Sequence, residues 1–465
     1  GLDISAAVLD ISTSDNGGVS GAIFIQELGT GSTKLTVDTA DVATTAGLIE
    51  ITSLGNLTLD AVTSGGTTNA NLVTLATTAT AGTILDFADT DNADVDIFGT
   101  TVKLDSPGVM GHTDTGKGLD ISAAVLDIST SDNGGTSGSI FVQDTLSGAT
   151  AYTIDTANAA TTAGEIDLIK AAGAITIDTI TAGGGTQRGN VTITAASTIQ
   201  DAGGADAGAE IFGATLDVKS GTTFGETGTG AIDLDVTNLT LGTAAGLTGA
   251  VFIDDIRTAG TTTIGAMTTV GTNITYRSGN NALTVGGAIS TTAADATEPA
   301  IGGNVDIQTT TGSINVTGAI STLGGSDNDA GGADAAAGNV VITAGSTTRA
   351  VLTVAETITA YLVKADDGQG TPGDITLKGS SIEYAKNITG KTIIMDTDAD
   401  SSYLITEVLS GVVSKEDAGT GILIADRIAI TAHIIGDDAN GTINTALRLV
   451  GAANAVEVEL NMGQI

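Results

Sequence analysis

Residues 1–18 read GLDISAAVLDISTSDNGG, and the same eighteen letters return without a change at 118–135. A perfect copy of this length makes the chain a tandem array, and arrays fold by stacking similar units rather than by closing one globular core. Other stretches keep the period. TKLTVDTADVATTAGLIEI (33–51) aligns without gaps with TAYTIDTANAATTAGEIDL (150–168), and IFGTTVKLDS (97–106) with IFGATLDVKS (211–220). A third word appears three times, as SGAIFIQ (20–26), SGSIFVQ (137–143) and TGAVFID (248–254). The chain therefore reads as repeat units 1–117, 118–230 and 231–345, the third divergent, followed by a segment 346–465 with more basic and tyrosine residues.

Inside each unit a glycine is followed by aliphatic residues at alternate positions, as in GLIEI at Gly47, GEIDL at Gly164, GNVTI at Gly189, GNVDI at Gly303, GNVVI at Gly338 and GDITL at Gly373. Alternation marks a strand with one buried face, and the leading glycine is expected to supply a left-handed corner. No helical period is sustained. Antiparallel sandwiches want bulky filling and hairpin turns. Here the core letters are small and the same words stack, as in TVD (36–38), TLD (58–60) and TID (153–155, 176–178). The expected fold is all-β, a right-handed parallel β-helix (β-solenoid). With coils of roughly 20 to 24 residues spaced ~4.8 Å apart, it would have about 20 coils in a rod ~100 Å long.

Composition agrees with a narrow core. The 465 residues include no Cys, no Trp, 3 Pro and 65 Gly, with 3% aromatic residues against 41% hydrophobic ones. The formal charge is −38, from 54 acidic and 16 basic residues, and 42 of the acids are Asp. Asp favours turns, so the charge is placed on corners, where it repels nucleic acid and anionic lipid. No apolar run reaches the length of a membrane span. Absence of cysteine fits export. A first residue Gly1 with no leader fits a processed chain or a piece of a longer one.

The words GNVTITAASTI (189–199), GSINVTGAIST (312–322) and AGNVVITAGS (337–346) resemble the filamentous-haemagglutinin-type adhesins, giant secreted bacterial proteins whose shafts are right-handed parallel β-helices. The likeness runs over nearly the whole chain, most clearly 47–350. It implies an extracellular or cell-surface location and a shaft, with no site residues to carry over.

Catalytic material is sparse: the only histidines are His112 and His433, far apart, and no nucleophile elbow or phosphate loop is present. The expectation is a protein that is not an enzyme and requires no cofactor. Four acidic stretches could supply oxygen ligands to Ca²⁺: DTDNADVD (89–96), SDNDAGGAD (326–334), DTDAD (396–400) and GDDANG (436–441). Asp327, Asp329 and Asp334 are the chosen Ca²⁺ candidates, because four nearby glycines let the loop curl, and solvated turns are the bland alternative. Seven Asn-x-Thr triplets, among them those at Asn56, Asn273 and Asn387, read as corner-then-strand grammar rather than glycosylation sites.

The functional expectation is a non-enzymatic extracellular structural protein, the shaft of a bacterial surface fibre or adhesin. It would join end to end by self-association or chain continuation, and host or matrix carbohydrate or protein is a candidate target. A carbohydrate-binding solenoid is the alternative, and a polysaccharide-cleaving β-helix the third reading. If the copied stretches are equivalent coils, Leu2, Ile4, Val8 and Ile11 should lie inward with Leu119, Ile121, Val125 and Ile128. Phe24, Phe141 and Phe252 should fill matching core places.

Overall fold

The computed structural model describes residues 1–397 apart from 17, 40–44, 67–69, 88–93, 113–117, 132–134, 157–160, 185, 204–207, 243–245, 296–299, 327–334 and 361–370; beyond 397 it describes 404–405, 422–432, 434–435, 449–450 and 457–462. The described residues form strands and no helix, and the strands pair in parallel except at two short hairpins, 15–20 and 183–188. This is the long parallel sheet of a β-solenoid. The chain divides into two compact units, Gly1–Ser220 and Gly221–Ile465.

In the first unit two ladders rise side by side, each splitting where one long strand pairs with two shorter ones, as Asn56–Ser64 does with Ile84–Asp86 and Ile97–Phe98. One starts at Leu2–Ile4 and climbs through Ile23–Glu27, Ile49–Ser53, Leu72–Thr77 and Thr101–Ser106 to Val125–Thr130. The other starts at Val8–Ser12 and climbs through Ser32–Thr39, Asn56–Ser64 and Ile97–Phe98 to Leu119–Ser122. The copy has therefore changed ladders. Leu119–Ser122 repeats the letters of the first ladder's founding strand yet stands in the second, and Val125–Thr130 has crossed the other way. One repeat therefore ends on the other ladder from the one on which it began. Each copied strand still meets the same words above it, because Leu2 pairs with Ile25 and Leu119 with Val142. Fold choice is thus made between neighbouring coils, as expected of a quasi-one-dimensional stack.

The second unit runs on three ladders. The strand Thr261–Thr268 splits its pairing between Ala282–Val285 and Ile289–Ser290, which head two of them. The third passes through Val251–Asp255, Ile274–Ser278, Val305–Thr309, Val340–Thr343 and Ile375–Lys378.

Coil length varies more than expected. The step is 18 residues at Ile375–Ile393, 21 at Ile232–Ile253, 24 at Lys103–Asp127, 26 at Asp144–Lys170, and 31 and then 35 from Asn273 to Asn304 to Asn339. Strand length is held by the ladder, so extra residues collect in connections such as that between Ser321 and Val340.

Each unit is filled by Ile, Leu and Val from alternate positions; among the described residues the fully buried aromatics are Tyr152 in the first unit and Phe224, Tyr276 and Tyr384 in the second. Two expectations fail on parity. Val8 and Val125 face outward in both copies, while Leu9, Leu126 and Ile128 are buried and Ile11 is half-buried. A period of two puts 9 and 11 on one face and excludes 8. Phe24, Phe141 and Phe252 each stand between two buried aliphatics, at the outward position of their strand. Phe24 is 47% exposed and Phe141 8%. All three take the outward parity, with Phe24 exposed, Phe252 half-buried and Phe141 covered, and the interior is filled instead by Tyr152, Tyr276, Tyr384 and Phe224.

The leading glycines have a different cause from the one expected. None of Gly47, Gly164, Gly189, Gly303, Gly338 and Gly373 has a left-handed backbone. A Cβ on Gly338 would overlap the carbonyl oxygen of Gly303, and one on Gly373 that of Gly338, so these glycines permit close approach of successive coils. The residue after the glycine locks the same contact. Asn304, Asn339 and Asp374 each donate a backbone N–H, at 2.8 Å, to the side-chain oxygen of Asn273, Asn304 and Asn339 respectively. Asn56 and Asn387 likewise accept the N–H of Thr83 and Ile422. Left-handed corners do occur in the copied stretch, where Gly18 and Gly135 have φ of 87° and 91°.

Candidate functional site

The words FIQE, FVQD and FIDD end on an acid two positions beyond a buried aliphatic, so parity turns that acid inward. Glu27, Asp144 and Asp255 are all buried. Each accepts the backbone N–H two residues on, at 2.7 Å from Gly29, 2.8 Å from Leu146 and 3.1 Å from Arg257, which holds the chain as it leaves the strand. The second oxygen is then satisfied by the next coil. Glu27 receives the Ser53 hydroxyl at 3.1 Å. Asp255 receives the Tyr276 hydroxyl at 2.9 Å, the Asn281 amide at 3.0 Å and the Ser278 hydroxyl at 3.2 Å.

Asp144 is met by a cation. Lys170, its ladder partner, donates to Asp144 at 2.7 Å, to the Leu146 carbonyl at 3.0 Å and to Thr150 Oγ1 at 3.0 Å, and the Tyr152 hydroxyl donates to the same carboxylate oxygen. Burial and the adjacent carboxylate hold the Tyr152 phenol well above its ordinary range, as they do that of Tyr276. These are closed corner posts. All three ammonium hydrogens of Lys170 have acceptors, and neither Lys170 nor Asp144 has side-chain surface for a substrate to touch.

A second acidic group lies on the strands that precede Asp144 in its own ladder. Asp96 Oδ2 accepts the Asp120 N–H at 2.8 Å, and the Asp96 N–H returns a bond to the Asp120 carbonyl at 2.8 Å. Asp86 hydrogen-bonds the Asp96 side chain, a carboxyl–carboxyl contact that requires a proton. Burial foremost, with Asp86 and Asp120 adding repulsion, pushes the Asp96 carboxyl up to about 8. Burial and Asp86 push Asp120 up to about 6. A shared proton accounts for this contact; among the described residues no group of three His, Cys, Asp or Glu is arranged to hold a metal.

The candidates from sequence fall mostly elsewhere. Asp327, Asp329 and Asp334 lie outside the described residues, as does His433. His112 is exposed. From the stretch 89–96, Asp94 is exposed and Asp96 turns inward to Asp120. The corner acids went unremarked in the sequence, although their inward parity at the end of a thrice-repeated word was readable.

Comparison with known proteins finds no matching family model, no matching curated protein and no matching solved structure.

Proposed function

We propose that this chain is a non-enzymatic structural protein, the shaft of a bacterial cell-surface fibre or adhesin. One observation carries the reading: at three matching corners the buried acid is spent on the coil that follows it, by Ser53, by Lys170 and by Tyr276 with its neighbours. Polar groups that cost most to bury are committed to stacking one coil on the next. A fold invested in that way gains reach with every repeat.

The test is in-frame deletion of one repeat, residues 1–117, from the chain displayed on a bacterial surface. A shaft keeps its parallel-β spectrum and surface exposure and shortens in electron micrographs. Loss of a hydrolytic or glycan-binding activity on deletion, with fibre length unchanged, would overturn the proposal in favour of an enzyme or a carbohydrate module.

A further inference from the structure

Two ion pairs of nearly equal length stand in different surroundings. Lys103 reaches Asp127 at 2.8 Å with side chains 50% and 41% exposed, whereas Lys170 reaches Asp144 at 2.7 Å with both at 0%. Water solvates and screens the first pair. The second has no such solvent, and the desolvation of its two charges is offset only by their contact and its hydrogen bonds. Of the three corner acids, Asp144 alone is met by an amine. Glu27 is met by Ser53, and Asp255 by Tyr276, Ser278 and Asn281.

We infer that Lys170 and Asp144 condense, joining adjacent coils by an amide bond between Nζ and the Asp144 carboxyl carbon. The groups around the pair are those the step needs. Thr150 Oγ1 and the Leu146 carbonyl, both at 3.0 Å, hold two of the ammonium hydrogens, and the third lies on Asp144 Oδ2. Passing that hydrogen to Oδ2 leaves a neutral amine against a carboxylic acid and removes both charges from an apolar interior. The freed lone pair attacks the carboxyl carbon, and the electrons displaced onto Oδ1 are held by the Leu146 N–H at 2.8 Å. Tyr152, fully buried with its hydroxyl on Oδ2, takes one more hydrogen from the nitrogen as it gives its own to Oδ2. The bond from carbon to Oδ2 breaks, and this oxygen leaves as water with its two hydrogens while one hydrogen stays on the amide nitrogen. Nothing is oxidised or reduced.

Holding amine and acid in contact supplies in advance the ordering that condensation between free molecules has to find, and a corner without exposed surface keeps solvent from reversing it. The bond closes the loop 144–170 in a chain that has no Cys to form a disulfide. It depends on the corner's geometry alone, and holds whether or not the chain is a shaft.

The full chain is unfolded in urea, so that burial no longer shields Lys170, and digested with trypsin, which does not cut after an acylated lysine. Cleavage after Lys117 and Arg188 but not after Lys170 should leave a peptide 118–188, lighter than its sequence by one water, with fragment ions placing the link between 144 and 170. Lys103, paired nearly as closely but exposed, should be cut in full. Asp144→Asn should give the same linked peptide at the same mass, because the bond then forms with loss of ammonia. Lys170→Arg, which keeps a charge and donors but has no nucleophilic amine, should lose no water. Cleavage after Lys170 as complete as after Lys103 overturns the inference, and it is read on the wild-type chain whether or not either variant folds. A lost water confined to a ring at Asp144, with Lys170 cut, overturns it too.

Discussion

Lys170 and Asp144 stand in register on adjacent coils, joined at 2.7 Å with no solvent-exposed side-chain surface on either. An ion pair in an apolar column is held by Coulomb attraction against the desolvation of both partners, so removing one partner leaves a buried charge unmatched. Lys170→Met should therefore destabilise the first unit by about 3–5 kcal/mol. Lys170→Ser should cost clearly less, because Ser53 and Ser278 already serve the corner acid at the matching positions. Urea denaturation of the two variants checks this. Equal losses would mean that the corner needs the charge and not merely a donor.

Close approach at the glycine column gives a second expectation. Gly338→Ala places a methyl group on the Gly303 carbonyl, backbone against backbone, with no flexible side chain to yield. It should cost about 1–3 kcal/mol, as overpacking does. Gly31→Ala, where nothing lies within 4 Å of an added Cβ, is the control and should be neutral in thermal unfolding.

The alternation of Ile, Leu and Val and the recurrence of whole words made a parallel stack legible before any coordinates, because both follow from identical residues meeting at each turn. Face and ladder were less legible. Val8 and Phe24 are apolar letters at outward parity, which is visible only once Leu9 and Ile25 are fixed inside. The exchange of ladders between Leu2–Ile4 and Leu119–Ser122 depends on coil length, and that is set by connections whose letters carry no period. The Asp96–Asp120 contact was hidden for the same reason. It joins residues 24 apart, one coil step in this part of the chain.

That contact predicts an inverted pH dependence. Aspartate in an unfolded chain ionises at about 3.9, whereas Asp96 and Asp120 hold their protons up to about 8 and about 6. Between those limits the native coil binds more protons than the unfolded one, so its stability falls as pH rises. The contribution is fully present below pH ~4 and lost as pH climbs through 6 to 8. Hydrogen exchange across 97–122 should accelerate more between pH 5 and pH 8 than the intrinsic chemistry accounts for. Asp96→Asn should flatten that excess while keeping the Asp120 N–H bond. The same excess in the variant would reject the shared proton as its source.

The copied stretch supplies the last comparison, between two leucines with the same eighteen-residue surroundings in sequence. Leu119 is sealed between coils, so Leu119→Ala removes buried methyl groups and leaves a cavity that the ladders cannot collapse around; about 2–5 kcal/mol is expected. Leu2 packs on one side only, and Leu2→Ala should stay within about 0.5 kcal/mol. Because each coil touches its neighbours and little else, the Leu119→Ala loss should appear as faster hydrogen exchange in the strands Ile97–Phe98 and Ile140–Asp144 that flank it. The strand Val340–Thr343, in the other compact unit, should be unchanged. Equal costs for the two leucines would mean that the edge at Leu2 is already covered in solution. A loss spread evenly over both units would mean that the stack unfolds as one cooperative body rather than coil by coil.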